Sequence, residues 1–229
     1  MKELKNVTLF GLDCVDIDRL ILAAEICCVD FRFAEVKLLS SIASKSKNVV
    51  KIEPVQSRQD YSQFILKQLN DYINTDFVLV IQYDGFILNP EAWDDQYLQY
   101  DYIGAPLWVD DKQVVGNGGF SWRSKKLLTL LQNDENIFIE EAPAHKYGQN
   151  EDWIISVIKR QYLENQGIKF APVEIAHKFS FEKNKRYGAK WNGQFGFHGL
   201  SWTDISAWTK LHPKYRINNI LTEKPNQHF

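Results

Sequence analysis

Cysteine is scarce in this chain: three residues, Cys14, Cys27 and Cys28, two of them adjacent. Three thiols so placed build no disulfide framework, and no C-x-x-C spacing offers a structural zinc site. A reducing compartment is the expectation. An excess of charge of one sign is also missing, since the formal net charge is −2 and the pI about 6.2. No overall field draws such a protein to nucleic acid or to an anionic membrane surface. Long apolar runs are lacking too: the start, "MKELKNVTLFGLDCVD", has no signal-peptide core, and no window approaches the ~20 apolar residues of a membrane span. A soluble, cytoplasmic protein without a transmembrane segment is expected, with a peripheral place at the inner membrane face left open. Repeats, heptads and low-complexity linkers are absent, so residues 1–229 read as a single domain.

What is present is apolar and aromatic. Hydrophobic residues make up 45% of the 229, enough for a sizeable core, and aromatics 14%, with seven Trp and ten Tyr. Such rings fill cores; they also suit the apolar faces of sugars.

The first third alternates strand and helix. "VTLFGLDC" predicts a strand, and "DIDRLILAAEICCVDF" a helix with Ile17, Leu20, Ile21, Ala24 and Cys28 on one stripe and Asp16 as its cap. "FAEVKLLSS" and "VVKIEPV" predict strands, "DYSQFILKQLNDYI" an amphipathic helix, and "DFVLVIQYDGFIL" the strand that closes the unit. Parallel strands need crossovers of this length, so the fold class is α/β: a Rossmann-like, mostly parallel central sheet flanked by helices. Residues 1–90 would form a nucleotide-binding half and 91–229 an α+β half for a second substrate. There, "SKKLLTLLQN" and "EDWIISVIKRQYLENQ" predict helices, "YDYIGAPLW" and "QVVGNGGFSW" strands or extended loops, "KFAPVEIAHKFSFE" a strand pair, and "TEKPNQHF" a loosely held tail.

Four stretches carry chemistry. In "LVIQYDGFILNP", residues 79–90, Asp84 and Gly85 suit a turn. Apolar runs on both sides also bring the carboxylate to the core's edge, where it needs a cation or donors, and a hard divalent metal qualifies. "VVGNGGFSWRSKK" has Gly116, Gly118 and Gly119 in four positions; it lacks the G-K-[ST] of a P-loop and the third glycine of a dinucleotide fingerprint. "QNEDWIISVIKR" opens a helix with Glu151 and Asp152, which offset the macrodipole or aim a general base into a cleft. "GQFGFHGLSW" sets His198 among aromatics and glycines, a setting that none of the other four histidines shares.

Taken in order, these four resemble the core of the GT-A fold glycosyltransferases. More narrowly, "QYDGFILNP", "YIGAPLW", "GNGGFSWRS", "NEDW" and "FGFHG" are similar to a family of bacterial and viral sugar-transferase-like proteins long carried as a domain of unknown function, over roughly residues 7–200. The resemblance implies a GT-A-type hexosyltransferase of polysaccharide biosynthesis. It would move a sugar from a nucleotide-sugar donor, UDP-hexose favoured, to a hydroxyl of a glycan or glycolipid acceptor, with inversion. Asp84 corresponds to the last Asp of a D-x-D motif that coordinates Mn²⁺ or Mg²⁺; Gln82 stands where the first Asp usually is, which removes one charge. His198 looks like the late metal ligand, Gly118 and Gly119 like the loop against which donor and acceptor pack, and Asp152 like the base, with Glu151 in support. Tyr83 is expected beside the donor because it falls near the carboxyl end of a strand, where ligands bind in such sheets.

Two further donor-side readings rest on position. Asp13 and Cys14, at the end of the first strand, face the base or ribose on topology alone, and Lys185 and Arg186, in "EKNKRYGAK", could neutralise a departing diphosphate or form a solvated run. Two alternatives stay open. One is a non-catalytic carbohydrate-binding or degenerate transferase domain. The other is a sugar nucleotidyltransferase, whose phosphate loop "GLDCVDIDRL" does not supply.

Overall fold

A computed structural model describes residues 1–141, 143–182 and 191–215. The chain opens with β1 (Lys2–Leu12), α1 (Ile17–Cys27), β2 (Phe31–Ser40), β3 (Val49–Lys51), α2 (Arg58–Lys67), the single turn α3 (Leu69–Tyr72) and β4 (Phe77–Ile81). It continues with β5 (Tyr102–Ile103), β6 (Pro106–Val109), β7 (Lys112–Val115), β8 (Phe120–Ser124) and α4 (Lys125–Asn133). Then come α5 (Glu151–Trp153), α6 (Arg160–Asn165), α7 (Val173–Phe179), β9 (Ser180–Glu182), β10 (Gly196–His198) and α8 (Ser206–Leu211).

Six strands form one sheet in the order β3-β2-β1-β4-β8-β5. β3, β2, β1 and β4 run parallel, and β8 lies antiparallel between β4 and β5. The α/β class and the mostly parallel sheet are as the alternation of periods implies. β1 and β4 are buried on both faces, which is why they read as continuous apolar runs. Their side chains alternate between two cores: Leu9, Leu79 and Ile81 pack on the α1 side, Phe10, Val78 and Val80 on the α2 side. Asp16 caps α1 by accepting from Asp18 N, and the helix buries Ile17, Leu20, Ala23 and Ala24. Full burial of an aliphatic side chain such as Leu20 contributes about 1.5–3 kcal/mol, so this face holds the helix down.

Two segments differ from the sequence reading. Residues 173–179 form α7, not a strand: Pro172 starts it, and Ala176 and Phe179, three apart, are its buried face. Only Ser180–Glu182 is extended there, which also puts His177 on a helix rather than a strand. The single helix expected over 151–166 is broken. A π-helical turn, Ile154–Ile158, separates α5 from α6, with Lys159 N donating to Ile154 O across 2.8 Å. Such wide turns recur at functional sites; this one follows Asp152 directly. The tail "TEKPNQHF" lies outside the described residues. Among those described, no helix is long and apolar enough to cross a membrane.

Three local features shape the carboxyl end of β4. Beyond Ile81 the chain turns tightly, with Gly85 N donating to Gln82 O at 3.1 Å, and Phe86, Ile87 and Leu88 re-enter the core. β10 docks on that turn: Ile87 bridges Gly196, and Gly199 N donates to Asp84 O at 2.8 Å. The β6–β7 hairpin, turned by Asp110 and Asp111 at positive φ, leads into the glycine loop.

Candidate active site

A cavity of about 590 Å³ opens at the carboxyl end of β4. That is where ligands bind in open α/β sheets. Gln82 and Asp84 come to it from the β4 turn, Gly118 and Gly119 from the loop before β8, Glu151 and Asp152 from the start of α5, and His198 from the end of β10.

One end of the cavity is built around the His198 ring. Nε2 lies 3.0 Å from Gln82 Oε1 and 3.5 Å from Asp84 Oδ1, and Nδ1 lies 3.4 Å from Glu182 Oε1. Parallel pairing of β10 with β9 sets His198 opposite Glu182, so the second carboxylate is a consequence of register. Asn117, at φ 44, donates to Glu182, sits 3.2 Å from His198 Nδ1 and accepts from Gly119 N at 3.2 Å. Burial would lower the His198 imidazole, but the carboxylates of Asp84 and Glu182 outweigh it and hold the ring well above its ordinary value.

The other end belongs to the acidic pair. Glu151 is buried; its carboxylate meets Arg123 Nη2 at 2.9 Å, and its backbone N–H donates to Ser62 Oγ at 3.1 Å. Asp152 accepts from Gly118 N at 3.0 Å through Oδ2 and from Trp153 N at 2.7 Å through Oδ1. Burial, and next the charge of Glu151, push the Asp152 carboxyl up to about 7, against the pull of those two N–H donors.

Two adjacent glycines join the ends. A Cβ on Gly118 would stand 2.2 Å from Glu151 Oε1 and 3.2 Å from Asp152 Cβ, and one on Gly119 would stand 2.1 Å from His198 Nε2. Only a bare backbone passes between both poles.

For a divalent cation the test is the donor set. Asp84, Gln82 and His198 Nε2 supply a carboxylate, a carboxamide oxygen and an imidazole, and the 3.0 and 3.5 Å separations can be set against geometry. Neighbouring ligands of an octahedral ion at 2.0–2.1 Å stand roughly 3.0 Å apart; the Gln82 separation matches this and Asp84 stands wider, and by donor type the three suit Mn²⁺ or Mg²⁺. Among the described residues no three of His, Cys, Asp and Glu are grouped so as to hold a metal ion, so a cation here would need the Gln82 carboxamide as a further ligand. Glu182 on Nδ1 is the outer carboxylate that commonly orients a metal-bound histidine.

The remaining donor-side residues are placed elsewhere. Asp13 does not line the cavity: Oδ1 accepts from Val15 N and Asp16 N at 2.8 and 2.9 Å, and Oδ2 pairs with Arg19 at 2.5 Å, so its carboxylate secures the start of α1. Cys14 is half-buried beside it, also off the cavity wall. Tyr83 turns away from the cavity, its ring 3.7 Å beneath the Arg19 guanidinium. Lys185 and Arg186 lie outside the described residues.

Other side chains in the wall were not singled out by sequence. Arg58 and Lys146 bring cations; Trp108, Tyr147, Trp153 and Trp202 form an aromatic rim, with His145 stacked on Trp153 at 4.4 Å. Asn117 stands inside the quoted glycine motif and Glu182 opens the basic run, so both were within reach of a closer reading. Nothing in the sequence marks Arg58, the first residue of α2.

A family model described as "Protein of unknown function (DUF5672)" matches residues 46–198. No curated protein matches the chain. Among solved structures, an active-site mutant of LgtC is 13% identical with a TM-score of 0.54, over 92% of this chain and 96% of its own. The galactosyltransferase LgtC in complex with donor and acceptor sugar analogues is 13% identical with a TM-score of 0.51, over 96% and 98%. A glycosyltransferase involved in the glycosylation of the major capsid of PBCV-1 is 11% identical with a TM-score of 0.50, over 91% and 98%. At such identities the likeness is one of fold, and the fold is that of GT-A glycosyltransferases.

Proposed function

This chain belongs to the DUF5672 family, and from the site it carries we propose that it is a metal-assisted glycosyltransferase. It moves a hexose from a nucleoside-diphosphate donor, UDP favoured, to a glycan hydroxyl with inversion. The observation that carries the reading is that Asp84 and His198 at one end, and Asp152 at the other, face a single cavity across Gly118 and Gly119.

Asp84, Gln82 and His198 would hold the cation. A bound Mn²⁺ or Mg²⁺ supplies Lewis-acid stabilisation of the charge growing on a departing diphosphate. Arg58 and Lys146 add cationic charge to the same wall. Asp152 takes the proton of the acceptor hydroxyl as its oxygen bonds to the anomeric carbon and the sugar–phosphate bond breaks. A carboxyl raised to about 7 is matched to that task near neutral pH, and the Gly118 and Trp153 N–H groups, one on each oxygen, hold the carboxylate in place. Glu151, committed to Arg123, orients its neighbour instead of touching substrate. Trp108, Tyr147, Trp153 and Trp202 offer flat faces to the acceptor sugars. In this reading residues 1–90 are the nucleotide half of one domain.

The same aromatic rim, with Gln82 in place of a carboxylate, favours a sugar-binding relic as the second reading. A screen of nucleotide-sugars for released nucleoside diphosphate, with and without Mn²⁺, separates the two. Transfer or slow hydrolysis of one donor class, enhanced by Mn²⁺, is the expected result. No release from any donor, together with no thermal stabilisation by nucleoside diphosphate and Mn²⁺, would leave the binding reading standing.

A further inference from the structure

Below the cavity a chain of hydrogen bonds closes on itself. Asp152 Oδ2 accepts from Gly118 N at 3.0 Å, Gly118 O accepts from Ser121 Oγ at 2.9 Å, and Ser121 Oγ accepts from Arg123 Nε at 3.0 Å. Arg123 Nη2 then donates to Glu151 Oε1 at 2.9 Å, and the peptide bond from Glu151 to Asp152 completes the ring. Arg123 is completely buried in β8, and no wall of the cavity includes it.

Burying a guanidinium is costly, and a buried ion pair is weak evidence of a stabilising role, because neutral residues of similar volume often serve as well. Geometry alone needs only a donor for Ser121 and another for Glu151. A formal positive charge does something further. Two adjacent carboxylates share this end of the site, and of the two Arg123 is bonded to Glu151.

We infer that Arg123 is a positioning residue of the proposed transfer: it ties the glycine loop to the helix start and offsets part of the charge that Glu151 sets beside Asp152, so that Asp152 can ionise at this end. The inference rests on the reading of Asp152 as base. Among the described residues, Tyr61 from α2 and Tyr102 from β5, both buried phenols, and Glu182 from β9 also face Asp152. Arg58, Lys146, Asp84 and His198 share the cavity wall. None of these is a member of the ring, whose cation is Arg123.

The test is the titration of the site's carboxyls by ¹³C NMR in the full chain, with Asp152→Asn identifying the resonance. Glu151→Gln leaves Asp152 facing a free cation, and its midpoint should fall by about one pH unit or more. Arg123→Gln leaves two buried carboxylates together, and the last proton to leave the pair should be held to a pH higher by a similar amount. The double variant, neutral at both positions, should return close to wild type. Should Arg123→Gln not fold, the comparison of Glu151→Gln with the double variant decides the matter, since they differ only in the cation. Equal midpoints in those two would overturn the inference and leave Arg123 a purely structural residue. The base assignment is judged separately, by the pH profile of donor turnover. If the carboxyl midpoints move as stated while that profile stays with wild type, the charge role of Arg123 stands and the base lies elsewhere.

Discussion

Nε2 of His198 lies 3.5 Å from Oδ1 of Asp84, joining the final short strand of the described chain to the turn that ends β4. Asp84→Asn keeps the size of that side chain and removes its charge. Binding of Mn²⁺ with nucleoside diphosphate, followed by calorimetry, is then expected to fall below detection, while the protein without ligand still folds but with a lower Tm, because the His198 ring loses a carboxylate partner. Unaltered affinity would take Asp84 out of the cation site.

Asp152→Asn addresses the opposite end. Donor and metal binding should stay close to wild type, and turnover should drop by about 10² or more, the range for loss of a general base. In the unaltered protein, turnover should rise with pH and level off above about 7, as the raised carboxyl ionises. Turnover that survives the substitution assigns the base to another residue.

The two glycines predict a contrast between neighbours. Ala at Gly119 would press on the His198 ring, whose Nε2 is 2.1 Å from the added carbon, so cation binding should weaken with modest loss of stability. Ala at Gly118 meets Glu151 Oε1 at 2.2 Å, and that carboxylate is pinned to a buried arginine. Separating such a pair costs on the order of 3 kcal/mol, so Gly118→Ala should show a lower urea midpoint than Gly119→Ala. Equal midpoints would mean that the pair moves aside freely.

How much of this was legible beforehand depended on how local the signal is. The continuous apolar run "FVLVI" and the stripe of α1 are local, and both elements form as those patterns imply. Asp84 was legible because a carboxylate between apolar runs has to be accounted for, and it is indeed both part of a turn and buried. The stretch from Val173 to Phe179 has apolar residues that suit either period, and Pro172 tipped it to a helix. Topology alone aims Asp13 at a ligand from its strand end, whereas a side chain six residues on, Arg19, pairs with it. Glu182 beside His198, and Arg123 beside Glu151, depend on register between strands or on packing across the sheet, and no window of sequence contains both partners.

Asp152 also predicts how stability varies with pH. Folding raises its carboxyl from an ordinary value near 4 to about 7, so between those limits the folded state holds a proton that the unfolded chain releases. Stability therefore falls as pH rises through that window, by on the order of 2–4 kcal/mol. Asn at this position carries no titrating proton, and its amide oxygen can still accept from Gly118 N. The Tm of Asp152→Asn relative to wild type should thus climb from about pH 4 to about pH 7 and hold level above, making the less active protein the more stable one. A variant that is less stable than wild type at pH 8 would show that a cation on the cavity wall, Lys146 or Arg58, already compensates the carboxylate in the folded state.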